Sequence, residues 1–274
     1  MKIKNYLLVV TSVLAISACS TTEKEEAALT QEKPANVIYS EAIKSIEAKE
    51  YEIAKTLFEE VDRQHPYSNL ANKSQIMAAY AAYQEMSYDE ALASLDRFIQ
   101  LHPGHEEIDY AWYLKAMCYY EQIADVSRDQ EITKMAMQSF DSLIRRFPDS
   151  KYSREAKYKR DLTLDHLAGK EMEIGRYYLT RKHVNSAINR FLTVVREYQT
   201  TTHTPEALHR LVESYLTLGL RDEAMRVATV LGHNYPGDIW YEKTYNLMDP
   251  NMRKEIIEKR SWLEKTIDSI LTPE

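Results

Sequence analysis

The sequence is poor in glycine and cysteine and has no excess of positive charge. Its 274 residues include six Gly, eight Pro and two Cys, and 35 basic residues stand against 42 acidic ones. Two cysteines cannot build the disulfide framework of a small secreted scaffold. Glycine at about 2%, against the usual ~7%, leaves little material for phosphate-binding loops or for the tight turns of an all-β fold. The net charge of −7 argues against nucleic acid as a partner.

Sequence signatures of catalysis and metal binding are also missing. No H-E-x-x-H, G-x-S-x-G, P-loop or G-x-G-x-x-G motif occurs. His102 and His105 flank a Pro-Gly pair without a partner cluster, so we expect them to be loop residues rather than metal ligands. Cys118 is expected to be a buried small hydrophobe on a packed helix. The sequence therefore predicts no catalytic residue and no metal site.

The N-terminus has the order of a secretory signal. Two lysines precede an apolar stretch over 6–16 (YLLVVTSVLAI), and small residues and Cys19 follow it. The stretch is too short to span a bilayer stably, which favours a signal peptide. The sequence ISAC at 16–19 resembles the lipobox of bacterial lipoproteins, whose cysteine becomes the lipid-modified first residue. We predict a signal peptide over 1–18 and a covalent lipid on Cys19, with no other cofactor; an ordinary signal peptide with an incidental cysteine is the alternative.

The segment after this cysteine is typical of a tether. Ser20, rather than Asp, follows the lipobox, which in lipoproteins implies the outer membrane, here on its periplasmic side. Residues 20–35 (STTEKEEAALTQEKPA) are polar and charged, as in flexible linkers. Together with the lipidated cysteine they form a predicted tether over 19–35, which reaches at most about 55 Å when extended. Removal of two lysines and no acid with the signal peptide changes the net charge from −7 to −9.

Five segments of the remaining chain share one pattern. Each opens with Ala and carries apolar residues four and seven positions later, and four of the five have Pro twelve positions later. Spacings of four and seven fall on one helix face, and proline stops a helix. The pattern therefore predicts five repeated helices. The alanines that open the segments are Ala54, Ala91, Ala136, Ala187 and Ala224.

A partner helix is predicted before each repeated helix. The sequence WYLKAMCY at 112–119 resembles the first-helix W-x₂-L-G-x₂-Y pattern of tetratricopeptide (TPR) repeats, in which a small residue lets paired helices approach closely. We thus predict an all-α fold, a right-handed superhelix of five TPR-like helix pairs. Alanine spacings of 45 and 51, against 37 elsewhere, predict an insertion near 125–129 and about four extra turns in a helix from Tyr152 past Gly175, bent near Gly169.

A last helix is predicted to cap the repeats at the C-terminal end. Asp249 and Pro250 are an N-cap and first-turn residue of the preferred types. An apolar stripe follows, and a charged opposite face suits a solvated cap. The stripe consists of Ile256, Leu263, Ile267 and Ile270.

The first helices of a TPR array line its concave surface, and here their inward positions differ along the chain. In repeats four and five half are polar or charged, whereas in repeats one to three all are apolar or aromatic. Tyrosine suits binding grooves because it combines an apolar face with a polar tip. We therefore predict a groove for a hydrophobic or aromatic-ended peptide; the alternative is that the stripe packs against neighbouring repeats. The predicted groove residues are Tyr39, Ile43, Ile46, Ile76, Tyr80, Tyr83, Tyr113, Met117 and Tyr120.

One passage carries a resemblance to a known family. The run HPGHEEIDYAWYL at 102–114 resembles the "HP-x-H-x-x-x-DYA-x-YL" passage of the BamD family of outer membrane protein assembly lipoproteins. The HPYS and FPDS turns, the lipobox and the long third and fourth repeats also resemble this family, over essentially the whole mature chain. Gln199, in place of a repeat-ending proline, and the C-terminal extension over 252–274 depart from it.

The resemblance implies a non-enzymatic component of the β-barrel assembly machinery. It implies binding to the periplasmic POTRA domains of BamA, to other Bam lipoproteins and to unfolded outer-membrane proteins. Repeats over 36–150 are then expected to hold substrate, and repeats over 151–240 to hold BamA, with 241–274 as extension and cap. Arg190 and Arg196 are the candidates for an acidic contact on BamA; a solvated helix face is the alternative for each.

Two other functions remain open from the sequence. Another TPR lipoprotein, such as a secretin pilotin or a Tol-Pal coordinator, would share the anchor and the repeats. A cell-wall hydrolase with a helical body would need a cleft with two placed carboxylates. The repeats leave no segment of the mature chain over for such a domain.

Overall fold

A computed structural model describes residues 33–248, 250–254 and 258 of the chain. The predicted signal peptide, Cys19, Asp249 and the apolar stripe of the capping helix lie outside these residues. Within them the secondary structure is helical, without strands, which confirms the all-α class. The helices are α1 Ala35–Glu47, α2 Tyr51–Gln64, α3 Ala71–Gln84, α4 Tyr88–Leu101, α5 Ile108–Tyr120, α6 Glu131–Arg146, α7 Lys151–Thr180, α8 Val184–Glu197, α9 Thr204–Thr217, α10 Arg221–Asn234 and α11 Ile239–Leu247.

The chain divides into two compact units, one up to Leu101 and one from His102. In unit 1, helices α1 to α4 each pack on the next. In unit 2, helices α5 to α10 also pack in chain order, and α11 packs on α9 and α10. This succession of packed helix neighbours confirms the predicted helix pairs.

The repeated apolar positions form the interior of both units. The five alanines that open the repeated helices are 0% exposed. The residues four positions later, among them Phe58, Phe140 and Phe191, are also 0% exposed, and those seven positions later are at most 1% exposed. Burial of a phenylalanine or leucine side chain contributes roughly 1.5–3 kcal/mol, so each repeat supplies its own share of the core.

The repeat-ending prolines set where the helices stop. Helices α2, α4, α6 and α10 each end two residues before a proline, because the residue before proline is disfavoured in the helical region. Helix α8 ends at Glu197, two residues before Gln199. The side-chain amide of Gln199 donates to the carbonyl of Arg196 at 3.2 Å, so a polar cap stands where the other repeats have proline.

A glycine permits the tightest approach within the fourth repeat. A Cβ on Gly175 of α7 would lie 2.4 Å from Cε1 of Phe191, whose ring is fully buried. No side chain fits there without displacement of the ring. Ala42 and Ala79 occupy the equivalent positions in unit 1 and are at most 1% exposed. The predicted role of small residues in helix approach is thereby confirmed.

The long spacings of repeats three and four have the predicted structural cause. Ten residues connect α5 to α6, which is the insertion around 125–129, and α7 is one helix of 30 residues. Gly169 lies inside this helix, where an added Cβ would be 3.1 Å from the ring of His203 and 3.7 Å from Val126. Glycine there lets two connections lie against α7; the bend at this residue stays a prediction. No helix of the described residues is both long and apolar enough to span a bilayer.

Candidate functional site

Three half-buried tyrosines lie on α1 and α3, the first helices of the two helix pairs of unit 1. Tyr39 of α1 makes an edge contact with the core ring of Phe58, at 5.4 Å between centroids. Tyr83 of α3 lies 5.9 Å from Tyr88, and Tyr80, three residues earlier on the same helix, is likewise half-buried. Each of these rings retains some exposed surface. We call Tyr39, Tyr80 and Tyr83 the unit 1 row.

The tyrosines of α5 form a second row, in unit 2. Tyr113 stacks on Tyr152 of α7 at 5.1 Å, with 21° between the ring planes. Tyr120 makes an edge contact with Phe140, and the ammonium of Lys159 lies 4.5 Å from its centroid. Burial raises the pKa of the Tyr120 phenol, with smaller contributions from acidic neighbours. The long helix α7 therefore covers part of this row.

The other predicted groove residues divide by burial. Ile43 and Ile46 are half-buried and pack against the core cluster of Ala42, Phe58 and their neighbours. Ile76 is 1% exposed and Met117 is 7% exposed, so they contribute to the interior and offer little surface to a ligand. The surface available to a peptide is therefore mainly aromatic.

Sequence reasoning missed the cations that lie over these and other rings. The guanidinium of Arg146 lies 4.8 Å from the centroid of Trp112, and the ammonium of Lys115 lies 5.8 Å from it. A hollow beside them is lined by Trp112, Tyr119, Met135 and polar residues of α6. Residue spacing on α5 predicts that Lys115 lies one turn beyond Trp112, but the approach of Arg146 depends on helix pairing.

The second half of unit 2, from α7 to α11, presents a charged network in place of an aromatic row. Arg176 pairs with Glu206 at 3.1 Å. Arg210 pairs with the same glutamate at 3.4 Å and with Glu213 at 2.8 Å. These ion pairs link α7 to α9, so the charged side chains have partners within the chain.

A buried histidine and an aromatic platform adjoin this network. His209 is 5% exposed, and its Nδ1 lies 2.8 Å from the hydroxyl of Thr244. That hydroxyl donates to the carbonyl of Trp240, so its oxygen accepts the proton of Nδ1. Burial, with the charges of Arg210 and Lys243, lowers the pKa of His209. The Lys243 ammonium lies 4.0 Å from the centroid of Trp240, a residue pair that sequence reasoning missed.

The two arginines predicted to meet a partner differ in their surroundings. Arg190 of α8 forms an ion pair of 3.0 Å with Glu171 of α7, so its guanidinium already has an intramolecular role. Arg196 lies in the last turn of α8 and is exposed. A substitution of Arg196 therefore changes surface charge with less disturbance of the helix packing.

The residues considered for other chemistry have structural positions. His102 and His105 lie in the connection between α4 and α5, and the backbone N–H of Glu107 donates to Nδ1 of His105 at 3.1 Å. Cys118 is fully buried, and burial raises the pKa of its thiol to about 12. In the described part of the chain, no group of three or more His, Cys, Asp or Glu residues is placed to hold a metal ion.

The succession of packed helix pairs, each with the same buried apolar positions, defines a TPR-like helical-repeat protein. The profile of a family described as "YfiO: Outer membrane lipoprotein" matches residues 31–230. Relatives named outer membrane protein assembly factor BamD cover most of the chain. The chain therefore belongs to this family of outer membrane lipoproteins.

The similarity to individual relatives is extensive. BamD of Caulobacter vibrioides is 42% identical over 259 residues, which is 92% of this chain and 85% of the relative. BamD of Rickettsia prowazekii is 46% identical over 215 residues, with 78% and 86% covered. Among solved structures, a thermophilic TPR protein of Thermus thermophilus is similar at a TM-score of 0.38, with 16% identity over 78% of this chain and 98% of that one.

Proposed function

We propose that this chain is a non-enzymatic outer membrane lipoprotein that assists the assembly of β-barrel proteins. Cys19 carries the lipid, and the repeats face the periplasm. The partners are the POTRA domains of BamA, other Bam lipoproteins and unfolded outer-membrane proteins. The single observation that carries this proposal is the extensive similarity to BamD relatives, at 42% identity over 92% of the chain in one case.

The tyrosine rows support a role in holding unfolded substrate. The rings of Tyr39 and Tyr120 are fixed by edge contacts with core phenylalanines, and both remain partly exposed. Rings held in place lose little conformational entropy on binding. They therefore suit the aromatic residue with which outer-membrane strands commonly end, by apolar burial and stacking.

The second half of unit 2 supports a role in holding BamA. Its surface combines the exposed Arg196 with the Arg176–Glu206–Arg210 network and the Trp240 platform. Tryptophan and arginine are the residue types that dominate binding energy at protein interfaces. This half therefore offers a folded partner both charge and an aromatic anchor.

Affinity purification from detergent-solubilised envelopes tests the assembly function. The tagged chain is expected to recover BamA, and Arg196→Glu is expected to reduce that recovery. Arg97→Glu reverses the charge of an exposed arginine of unit 1 and serves as the matched control. Recovery of a secretin or of Tol components without BamA would overturn the proposal in favour of another TPR lipoprotein.

Titration with a peptide from the C-terminus of an outer-membrane strand tests the tyrosine rows. Tyr80→Ala together with Tyr83→Ala is expected to weaken binding by about tenfold, because two anchoring rings are lost. Phenylalanine at both positions keeps the rings and is expected to keep most of the affinity. Tyr67→Ala, in an exposed turn of the same unit, is the control. Equal affinities for all variants would assign the row to packing alone.

A further inference from the structure

The described chain begins at one end of unit 1, where four helix termini meet. The connections after α1, α2 and α3 have three, six and three residues, so the four helices run antiparallel. The start of α1, the end of α2, the start of α3 and the end of α4 therefore share one end of the unit. We call this the leading end; it comprises residues 33–37, 65–70 and 101.

The chain is fixed in position where it joins the leading end. The ring Nε2 of His65 lies 2.7 Å from the carbonyl oxygen of Lys33. The ammonium of Lys33 pairs with Glu41 at 2.9 Å, within the second turn of α1. The carbonyl of Pro34 accepts the first helical N–H of α1, from Val37, at 2.9 Å. Lys33, the first described residue, thus lies beside the turn that follows His65.

Exposed apolar side chains lie at the leading end. Tyr67, two residues after His65, is fully exposed at 101%, and Leu101 at the end of α4 is 63% exposed. The opposite end of unit 1 also exposes an apolar side chain, Met86, at 73%. Exposure alone therefore does not distinguish the two ends, but the position of Lys33 does.

The length of the preceding segment limits what the leading end can face. Thirteen residues separate Cys19 from Lys33. A polar chain of that length has a typical end-to-end distance of about 20 Å. The opposite end lies about 20 Å further away, since α2 has 14 residues at 1.5 Å each. A lipid on Cys19 therefore keeps the leading end much nearer the bilayer surface than the opposite end.

We propose that the leading end of unit 1 faces a phospholipid surface and that the ring of Tyr67 enters its headgroup region. This rests on the proposed function, because it requires the lipid on Cys19. Tyrosine favours the membrane interface, where its ring meets acyl chains and its hydroxyl meets water and headgroups. The contact of His65 with Lys33 holds the first described residue at this end, beside the turn that carries Tyr67.

The test compares two labelled sites in the full-length lipidated protein on phosphatidylethanolamine–phosphatidylglycerol vesicles. Tyr67→Cys and Met86→Cys are each labelled with an environment-sensitive fluorophore, and a spin-labelled phospholipid is the quencher. Cys118 does not compete for the label, because it is buried and its thiol pKa is about 12. We expect a roughly twofold loss of fluorescence at position 67 and little loss at position 86.

The possible outcomes separate the orientation from the anchor. Flotation of the lipidated protein with the vesicles, but not of Cys19→Ala, supports the anchor. Flotation with equal quenching at both sites, or with none at position 67, overturns the orientation and leaves the anchor intact. Failure of the lipidated protein to float overturns the anchor and the orientation together.

A third variant tests the role of the contact between His65 and Lys33. His65→Ala removes the contact with Lys33 and leaves the lipid in place. We expect unchanged flotation but weaker quenching at position 67, because Lys33 is then no longer held beside the turn that carries Tyr67. Unchanged quenching in this variant would show that the contact does not orient the unit.

Discussion

The two units secure their helices in different ways. In unit 1 the buried polar side chains of the described residues are Ser45 and Ser74, and connections of three to six residues join the helices. Unit 2 buries Gln130, His209 and several threonines, and it includes a ten-residue connection and a 30-residue helix. The core of unit 1 is thus almost wholly apolar, whereas unit 2 adds buried polar side chains to its apolar core.

Two connections of unit 2 make polar contacts with the middle of α7. The amide of Gln130 donates to the carbonyl of Arg128 at 3.0 Å, and its oxygen accepts from His166 at 3.1 Å. Asp165 accepts from the backbone and the hydroxyl of Thr202, at 2.9 and 2.6 Å. The extra turns of α7 are therefore the support on which two connections rest.

The largest expected effect tests whether the repeated buried apolar positions contribute equally to stability in both units. Phe58→Ala and Phe191→Ala each remove a fully buried ring four residues after a repeat alanine. We expect each to lower the free energy of unfolding by about 3–5 kcal/mol. Denaturant titration of both variants measures this. A much smaller loss in one of them would show that its repeat collapses around the cavity.

Substitution of the small residue at equivalent positions of two repeats tests how closely the helices of each pair approach. Gly175→Ala places a Cβ against Phe191, and we expect a loss of about 1–2 kcal/mol despite the better helix propensity of alanine. Ala79→Gly in unit 1 is expected to lower the free energy of unfolding by about 1 kcal/mol, because glycine loses more backbone entropy on folding than alanine does. Gly104→Ala, with no atom within 4 Å of the added Cβ, is the control. A stabilising Gly175→Ala would contradict the close approach.

Much of this architecture could be predicted from the sequence, because the same buried apolar positions recur in every repeat. The alanine-based pattern predicted the buried faces, and the spacings of 45 and 51 predicted the insertion and the long α7. Local spacing carries this information, since residues four and seven apart share a helix face. The burial of Cys118 followed from its neighbours in the same way.

The details of the candidate site depend on contacts that no local spacing encodes. Ile76 and Met117 occupy groove positions in the repeat pattern but lie in the interior. The charge of Arg190 predicts a contact with an acidic partner, whereas its ion pair with Glu171 depends on the packing of α8 on α7. Trp240 and Lys243 lie beyond the last repeat, where the pattern gives no positions to count.

An effect of similar size tests the polar support of the insertion. Gln130→Ala removes the amide contacts with the connection and with His166, and we expect a loss of about 1–3 kcal/mol. Amide hydrogen exchange over 121–130 is expected to accelerate at the same time. Gln75→Ala in unit 1 removes a half-exposed contact with Asp62 and should cost about 1 kcal/mol or less. Equal losses of stability in the two variants would mean that polar contacts support unit 1 as much as unit 2.

The smallest effect is a dependence on pH that unit 2 adds through His209. Burial and the charges of Arg210 and Lys243 lower its folded pKa below the ordinary 6.5, against the opposing charges of Glu206 and Glu213. The folded state therefore binds fewer protons than the unfolded state below that value. The resulting stability is fully present above pH 6.5 and is lost as the pH falls towards the folded pKa.

Replacement of the imidazole is expected to flatten this dependence. The amide of His209→Gln can still donate to Thr244 but does not titrate, so its free energy of unfolding should fall less than that of the natural chain between about pH 7 and pH 5. Denaturant titrations at three pH values compare the two slopes rather than the absolute stabilities. Parallel slopes would mean that His209 takes up a proton equally in both states, and that α11 adjusts to the charge.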